Sequence, residues 1–181
     1  MVYGKSKRFS SMKSKRELDF EFIYKSHKDK IYRLCLGFVR DKDQSKDLFQ
    51  EILIKIWRHL DSFKGQSEIS TWVYRIAYNT AITFATQQKK REDQKVEFPE
   101  NLDLGEPDSG KHEQEIQLER LYQAITELNE LDRIIATLFL EGTAYKTIAE
   151  ISGISENYVA VKVNRIKTHL SQKLNPNQNG K

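Results

Sequence analysis

Three side chains suited to reading bases recur at intervals of four residues near the C-terminus: Asn157, Val161 and Arg165. On an α-helix this spacing places them on one side. An Asn amide pairs with an adenine edge, an apolar side chain meets a thymine methyl group, and a cation neutralises a phosphate. Tyr158 and Lys162 flank this side, and Lys162 is a second candidate phosphate contact. The pattern predicts a helix that lies in the major groove of duplex DNA.

The segment just before this helix has the outline of a helix-turn-helix motif. A short helix is predicted around Ile148 and Ile151, Gly153 suits a turn with positive φ, and Ser155 is placed to cap the second helix. The alternative is an ordinary helical hairpin with a basic, solvent-exposed side. The turn chemistry and the basic bias together favour DNA binding. The apolar side of the second helix is predicted to contain Val159, Val163, Ile166 and Leu170.

A second group of candidate residues suits bases that have left the stack. A helix predicted from about 70 to 85 turns Arg75, Tyr78 and Asn79 outward beside Tyr74, and the loop before it contains Phe63 and neighbouring polar residues. Aromatic rings stack on bases, an Asn amide reads a base edge, and cations hold the backbone. The alternative for Tyr74 and Tyr78 is half-buried packing. The loop residues with candidate DNA contacts are Phe63, Lys64 and Ser67.

The helix predicted from about 44 to 60 has an apolar side for the core and a mixed outer side. Leu48 and Ile54 are predicted to point outward with Asp47, Glu51 and Arg58. A mixed apolar and charged surface indicates a protein partner. Scattered apolar residues are common on surfaces, so the pattern alone leaves both interpretations open. The side predicted to face the core contains Phe49, Ile52, Leu53, Ile56, Trp57 and Leu60.

Helical periodicity dominates the 181-residue chain, which is 38% hydrophobic and 31% charged, and it predicts an all-α fold. The pattern stops in a polar stretch that could span on the order of 80 Å. We therefore expect two small helical domains joined by a flexible linker. The predicted parts are a basic arm (1–17), a first domain (18–86), the linker (87–112), a second domain (113–174) and a tail (175–181).

The sequence offers no pattern typical of an enzyme. The four histidines, at 27, 59, 112 and 169, lie far apart, and no glycine-rich phosphate loop or nucleophile–base motif is present. We therefore expect no catalysis, no cofactor and no metal site. The net charge of +4 is compatible with a polyanionic partner. One cysteine, Cys35, and the lack of an apolar membrane span or signal peptide predict a cytoplasmic protein.

Most of the chain resembles one protein family. The strings Asp47-Leu48-Phe49-Gln50-Glu51, Asp61-Ser62-Phe63-Lys64-Gly65 and Thr71-Trp72-Val73-Tyr74-Arg75 are similar to region 2 of the bacterial sigma-70 family. The strings Glu141-Gly142, Ile148-Ala149-Glu150 and Gly153-Ile154-Ser155 are similar to its region 4. Each string is modest alone, but their order and spacing together are specific. Within the family, the chain most resembles the extracytoplasmic-function (ECF) sigma factors, which have only these two domains and a linker.

The resemblance implies a role in transcription initiation with several partners. The helix that contains Asp47, Leu48, Gln50, Glu51, Ile54 and Arg58 would bind core RNA polymerase at the clamp coiled coil of the β′ subunit, with further contacts to the β subunit. The Phe63–Ser67 loop and the helix with Asn79 would recognise the −10 element and its melted non-template strand. The helix that starts at Ser155 would read the −35 element as duplex. Family members are often held by an anti-sigma factor, so one is expected here.

Two departures from the family pattern have structural consequences. Asn129 stands where proline is usual, which should change only how the helix over 131–140 begins. Tyr78, Thr83 and Thr86 stand where arginine or aspartate is frequent, which removes possible phosphate contacts.

Two rival functions remain: a helix-turn-helix regulator that binds duplex DNA by itself, and a regulator that binds polymerase but no promoter.

Overall fold

The computed structural model describes residues 13–39, 41–94 and 113–175. Within these ranges every regular element is helical, which confirms the predicted all-α class. The parts of the predicted arm, linker and tail at 1–12, 95–112 and 176–181 lie outside the described residues. The helices are α1 (Lys15–Phe38), α2 (Lys42–His59), α3 (Ile69–Gln94), α4 (Glu113–Thr126), α5 (Glu130–Leu140), α6 (Tyr145–Ser152) and α7 (Glu156–Leu174), with a 3-10 turn at Leu60–Ser62 after α2.

The N-terminal domain consists of α1, α2 and α3, and local sequence signals fix where its first two helices begin. Ser14 caps α1 in a capping box, because its hydroxyl accepts from the Glu17 N–H and the Glu17 carboxylate accepts from the Ser14 N–H. The Asp41 carboxylate accepts from the Gln44 N–H at 2.8 Å and caps α2. The three helices bury a common apolar core that includes Ile31, Leu34, Ile52, Ile56 and Val73.

Helix α3 differs from the sequence prediction in its length and in the way it is buried. It continues to Gln94, so the first residues of the polar segment predicted from 87 are helical. Its buried positions are Thr71, Val73, Tyr74, Ala77, Thr80 and Ala81, which cover a wider arc than a single apolar stripe. The reason is that α3 packs against α1 and α2 on one side and against α6 on the next.

The C-terminal domain consists of α4 to α7, and Arg133 organises the turn between α4 and α5. Its guanidinium donates to the carbonyl oxygens of Leu128 at 2.8 Å and Thr126 at 2.5 Å, which would otherwise be unpaired where α4 ends. Asn129 then caps α5, since its side-chain oxygen accepts from the Asp132 N–H at 3.0 Å. The residue that stands in place of proline therefore supplies the N-cap of this helix.

The two domains pack against each other, α1 against α4 and α5, and α3 against α6. Gly37 lies where the two domains approach closely: a Cβ atom added there would lie 2.8 Å from the Thr137 Oγ1 atom. The Arg133 guanidinium donates across the interface to the Phe38 carbonyl oxygen at 3.0 Å. Arg33 of α1 also pairs with Glu141 at the end of α5. Buried residues of both domains therefore form one continuous core.

Candidate nucleic-acid interface

The helix-turn-helix of the C-terminal domain is formed by α6 and α7. Gly153 has φ of +73°, where a side chain would be strained, and its N–H donates to the Ala149 carbonyl oxygen at 2.9 Å. The Ser155 hydroxyl accepts from the Tyr158 N–H at 3.3 Å and caps α7. Both features had been predicted from the residue types. They turn the chain sharply and fix the direction in which α7 presents its outer side.

One side of α7 is buried and the opposite side is exposed. Val159, Val163, Ile166 and Leu170 lie in the core. Asn157, Val161 and Arg165 are exposed, with Val161 at 45%. An apolar side chain held in solvent between an amide and a cation is the composition expected of a base-reading surface. The structure thus places these three residues together, and their contacts with DNA stay a prediction.

Lys162 has a partner that the sequence did not reveal. Its ammonium group lies 3.0 Å from an Asp132 carboxylate oxygen at the start of α5, and both side chains are only 15% exposed. This hydrogen bond raises the pKa of Lys162. The ammonium group also lies 5.5 Å from the centre of the Tyr158 ring. Lys162 is therefore engaged inside its own domain, and this pair fixes α7 against α5.

In the N-terminal domain a cleft lies between the loop after α2 and the start of α3. It has a volume of about 600 Å³. The Phe63 ring lies 5.3 Å from the Trp72 ring, and the two form one wall. The exposed Lys64 and the half-buried Ser67 also line it. The cleft therefore brings aromatic, hydroxyl and cationic side chains together, as expected for a pocket that takes an unstacked base. Residues Ser62, Gln66, Glu68, Arg75 and Glu150 complete the lining.

On α3, Asn79 and Arg75 are exposed, Tyr78 is half-buried, and Tyr74 contradicts the prediction. Tyr74 is only 5% exposed, and its ring packs edge-on against His27 with centres 5.8 Å apart. Burial raises its pKa to about 12. The placement of Tyr74 with the outward group was wrong and the packing alternative holds for it, because α3 packs against α1 and α2 as well as against α6. Tyr74 therefore does not present a base-stacking surface in this arrangement.

The outer side of α2 is a mixed surface, although one of its predicted members belongs to the core. Ile54 is 49% exposed, and Asp47, Gln50 and Arg58 are exposed around it. Half-buried Glu51 lies at its margin and pairs with Lys55 at 3.1 Å. The outward placement of Leu48 was wrong, because Leu48 is fully buried one turn before Ile52, where α2 faces α1 and α3.

Two further properties concern the part of the chain that the structure describes. No helix there is long and apolar enough to cross a membrane. The same residues contain no group of three or more His, Cys, Asp or Glu side chains that could hold a metal ion. His27 packs against Tyr74, and burial lowers its pKa.

Family models match both domains. The model for Sigma-70 region 2 matches residues 23–91, and the model for Sigma-70, region 4 matches residues 118–170. The ECF RNA polymerase sigma-E factor of Haemophilus influenzae is 34% identical over 167 residues, which cover 87% of this chain and 88% of that protein. The RNA polymerase sigma factor SigV of Bacillus subtilis is 32% identical over 143 residues, which cover 77% and 81%.

Solved structures share the fold. The sigma factor RpoE of Bartonella quintana, crystallised in complex with the anti-sigma factor NepR, superposes with a TM-score of 0.67 at 23% identity, covering 88% of this chain and 98% of that one. CnrH, in complex with the cytosolic domain of CnrY, gives a TM-score of 0.64 at 16% identity, covering 87% and 88%.

The fold and the surfaces define a helical, two-domain DNA-binding protein with a helix-turn-helix in its second domain. The family matches make the class specific: the chain belongs to the ECF sigma factors of the sigma-70 family. It directs transcription initiation by RNA polymerase. Membership also confirms that the chain is not an enzyme, since a sigma factor is a non-enzymatic subunit of the polymerase.

Proposed function

We propose that the two domains recognise two promoter elements while the outer side of α2 holds core polymerase. The observation that carries this proposal is the exposure of base-reading side chains on both domains. Asn79 is exposed on α3 four residues after Arg75, which lines the Phe63–Trp72 cleft, and Asn157, Val161 and Arg165 are exposed on α7. The first group suits the melted non-template strand of the −10 element. The second suits the −35 element as duplex.

The polymerase contact is assigned to Asp47, Gln50, Ile54 and Arg58, with Glu51 at the margin. These residues give an apolar centre with charges of both signs around it. Such a composition suits a protein surface better than a nucleic acid, whose phosphates would be repelled by Asp47 and Glu51. The partner is the clamp coiled coil of the β′ subunit, with further contacts to the β subunit elsewhere on the chain. Leu48 supports this surface from the core.

Promoter opening follows from an exchange of stacking partners. A base that leaves the duplex loses a few kcal/mol of stacking and pairing. Stacking on an aromatic side chain returns about 1–3 kcal/mol per base, and the Phe63 and Trp72 rings at the cleft are placed to supply it. The polymerase contact and the −35 contact must supply the rest. The chain therefore selects where melting begins and performs no covalent chemistry.

An anti-sigma factor and a cytoplasmic location complete the proposal. The structurally similar sigma factor RpoE of Bartonella quintana was crystallised with the anti-sigma factor NepR. The exposed Ile54 surface on α2 is a seat for such a partner, which would compete there with polymerase. The single, buried Cys35 fits a reducing compartment, where polymerase also works.

Run-off transcription with purified core polymerase tests the proposed function. Genome fragments are transcribed with and without the protein, and we expect specific start sites only when it is present. A duplex-binding regulator would bind the same DNA but start no transcript from core polymerase alone. The absence of start sites on every fragment would contradict the proposed function.

Asn79→Ala tests the assignment of the −10 element. Asn79 is exposed on α3, away from α2, so the change should leave the affinity for core polymerase unaltered and reduce the rate of promoter opening about tenfold, since a good base contact contributes about 1–3 kcal/mol. Opening is followed by permanganate reactivity of unpaired thymines, and core binding by fluorescence anisotropy. Thr86→Ala, two turns further along the exposed part of α3, is the matched control. Equal losses in both assays would refute the assignment.

A further inference from the structure

We propose that Asp132 is a positioning residue for reading the −35 element: it holds the ammonium group of Lys162 against α5 and keeps this cation off the DNA backbone. The inference rests on the proposed function, because it concerns the same reading surface of α7. It adds that part of the positive charge on α7 is withheld from sequence-independent binding, so that the bases met by Asn157 and Val161 decide where α7 binds.

Lys162 lies at the edge of the reading surface. It directly follows the exposed Val161 and comes one turn after the exposed Tyr158. A lysine ammonium group on a flexible four-carbon side chain at this edge could reach a phosphate beside the major groove. The Lys162 side chain is nevertheless only 15% exposed, because it extends towards the carboxylate of Asp132 in the first turn of α5.

The surroundings of the Asp132 carboxylate favour retention of the ammonium group. One carboxylate oxygen, Oδ1, is buried and lies 3.0 Å from the Lys162 Nζ atom. The other, Oδ2, accepts from the Asn129 side-chain amide at 2.7 Å and from Nζ at 3.3 Å. Asn129 is itself fixed as the N-cap of α5. Because loss of the ammonium group would leave a buried carboxylate oxygen without a counter-charge, the pair resists exchange for a phosphate.

Lys162 and Arg165 therefore differ in what they offer to DNA, since Arg165 is exposed and Lys162 is not. A phosphate contact adds affinity for every sequence and fixes the register of a protein on the duplex. A second free cation at the edge of α7 would favour a register that need not bring Asn157 and Val161 to their bases. Holding Lys162 back should thus raise the ratio of specific to non-specific affinity, which decides binding among many competing sites.

Salt titrations of the full chain with two labelled duplexes test the withheld charge. One duplex contains the −35 element of a start site found by run-off transcription, and the other has the same length and composition with this element scrambled. Asp132→Asn keeps the side-chain shape but removes the charge that holds Lys162. On the scrambled duplex it should steepen the slope of log affinity against log salt by about 0.9, and bind about fivefold more tightly at about 0.1 M salt.

The same variant tests the effect on specificity. Its affinity for the −35 duplex should change by less than about twofold, because the new phosphate contact competes with the register in which the bases are read. The ratio of the two affinities should therefore fall in Asp132→Asn. A ratio that stays unchanged while the slope steepens would overturn the positioning role.

Lys162→Gln shows whether the new contact comes from this lysine. In the otherwise unaltered chain it should leave the salt slope unchanged, because Lys162 makes no phosphate contact there. In the double variant D132N/K162Q it should return the slope to its original value. A general weakening of the domain cannot give this pattern, since it would not make the lysine matter in one background alone.

Glu130→Gln is the matched control for the lost charge. Glu130 is an exposed acidic residue in the same first turn of α5, so this change removes one negative charge nearby but leaves the Asp132–Lys162 pair in place. It should leave the salt slope unchanged. Asp132→Glu keeps a carboxylate for the pair and should retain the original slope and ratio. Thermal unfolding followed by circular dichroism compares the stability of all variants.

A measurement on the unaltered chain does not depend on how the variants fold. Nitrogen-15 spectra of the lysine ammonium groups are recorded for the free protein and for its complex with the −35 duplex, and Lys162→Gln assigns the Lys162 signal by its loss. We expect the coupling across the hydrogen bond from Nζ to the Asp132 carboxylate carbon to persist in the complex. A coupling from Nζ to phosphorus in its place would overturn the inference.

An unchanged slope in Asp132→Asn would also overturn it, as would a slope that falls by about 0.9 in Lys162→Gln alone. The proposed function is judged separately, by whether the unaltered protein starts transcription with core polymerase. Start sites without any effect of the pair would remove the role of Asp132 alone. No start sites on any fragment would remove the proposed function, but slopes on a duplex of arbitrary sequence remain measurable, so the two failures are distinguishable.

Discussion

At the scale of single residues, Arg165 is the sharpest test of the −35 contact. It is exposed on α7 one turn from Val161. We predict that Arg165→Ala weakens binding to −35 duplex and lowers the slope of log affinity against log salt by about 0.9, as expected when one phosphate contact is lost. Titrations at several salt concentrations measure both quantities.

Lys173→Ala is the matched control for this measurement. Lys173 is an exposed cation in the last turn of the same helix, and it pairs with Glu127 at 2.8 Å within its own domain. Its removal should leave the salt slope unchanged. A slope that does not change in Arg165→Ala either would reject the phosphate contact.

The residue types on α7 could be predicted from the sequence, but the roles of all of them could not. Gly153 and Ser155 are local signals, because a positive φ and a helix cap depend on neighbouring residues. Lys162 also looked like a phosphate contact. Its partner Asp132 lies thirty residues earlier in the chain, so only the packing of α5 on α7 reveals the pair.

At the scale of the helix, α2 offers a matched pair of substitutions. Leu48→Ala should lower the free energy of unfolding by about 2–5 kcal/mol, because Leu48 is fully buried. Ile54→Ala should change it by less than about 0.5 kcal/mol, since Ile54 is exposed, yet it should weaken binding to core polymerase. Chemical denaturation and anisotropy with labelled protein measure the two effects. The opposite pattern would mean that the two residues have been assigned to the wrong sides of α2.

The wrong outward placements of Leu48 and Tyr74 have the same cause. Periodicity predicts that a helix has a buried side, but it does not fix the margin when apolar residues extend beyond it. Helix α2 carries Leu48 and Ile54 on either side of its predicted stripe, and only packing shows that the first is buried. Helix α3 is covered twice, so Tyr74 is enclosed although its position in a single-sided helix would be outer.

At the scale of the whole molecule, we predict weak promoter binding by the free chain. Linking two weak sites on a fixed scaffold increases joint affinity by about 10²–10⁴-fold without new contacts. Duplex promoter DNA should therefore bind the protein with core polymerase about 100-fold more tightly than the protein alone. Anisotropy with the same DNA in both cases measures the difference. Equal affinities would favour the rival duplex-binding regulator.

The number and class of the domains were predictable, whereas their arrangement was not. Two blocks of helical periodicity separated by a polar segment are sufficient to indicate two helical bodies. The interface uses Gly37, Thr137 and the backbone oxygen of Phe38, together with charged side chains that sequence reasoning would place in solvent. None of these residues gives an apolar pattern, so the packing of the two domains against each other could be found only from the structure.

Gly37 is part of the N-terminal domain, but Thr137 of the C-terminal domain leaves too little room for a Cβ atom at position 37. Domains of this kind can be exchanged between relatives. A hybrid protein would then combine the N-terminal domain of one chain with the C-terminal domain of another to change promoter choice. In a hybrid that keeps this α1 but takes α5 from a relative, different side-chain atoms would face Gly37. Builders of such chimaeras should therefore treat position 37 and position 137 as a matched set and transfer them together.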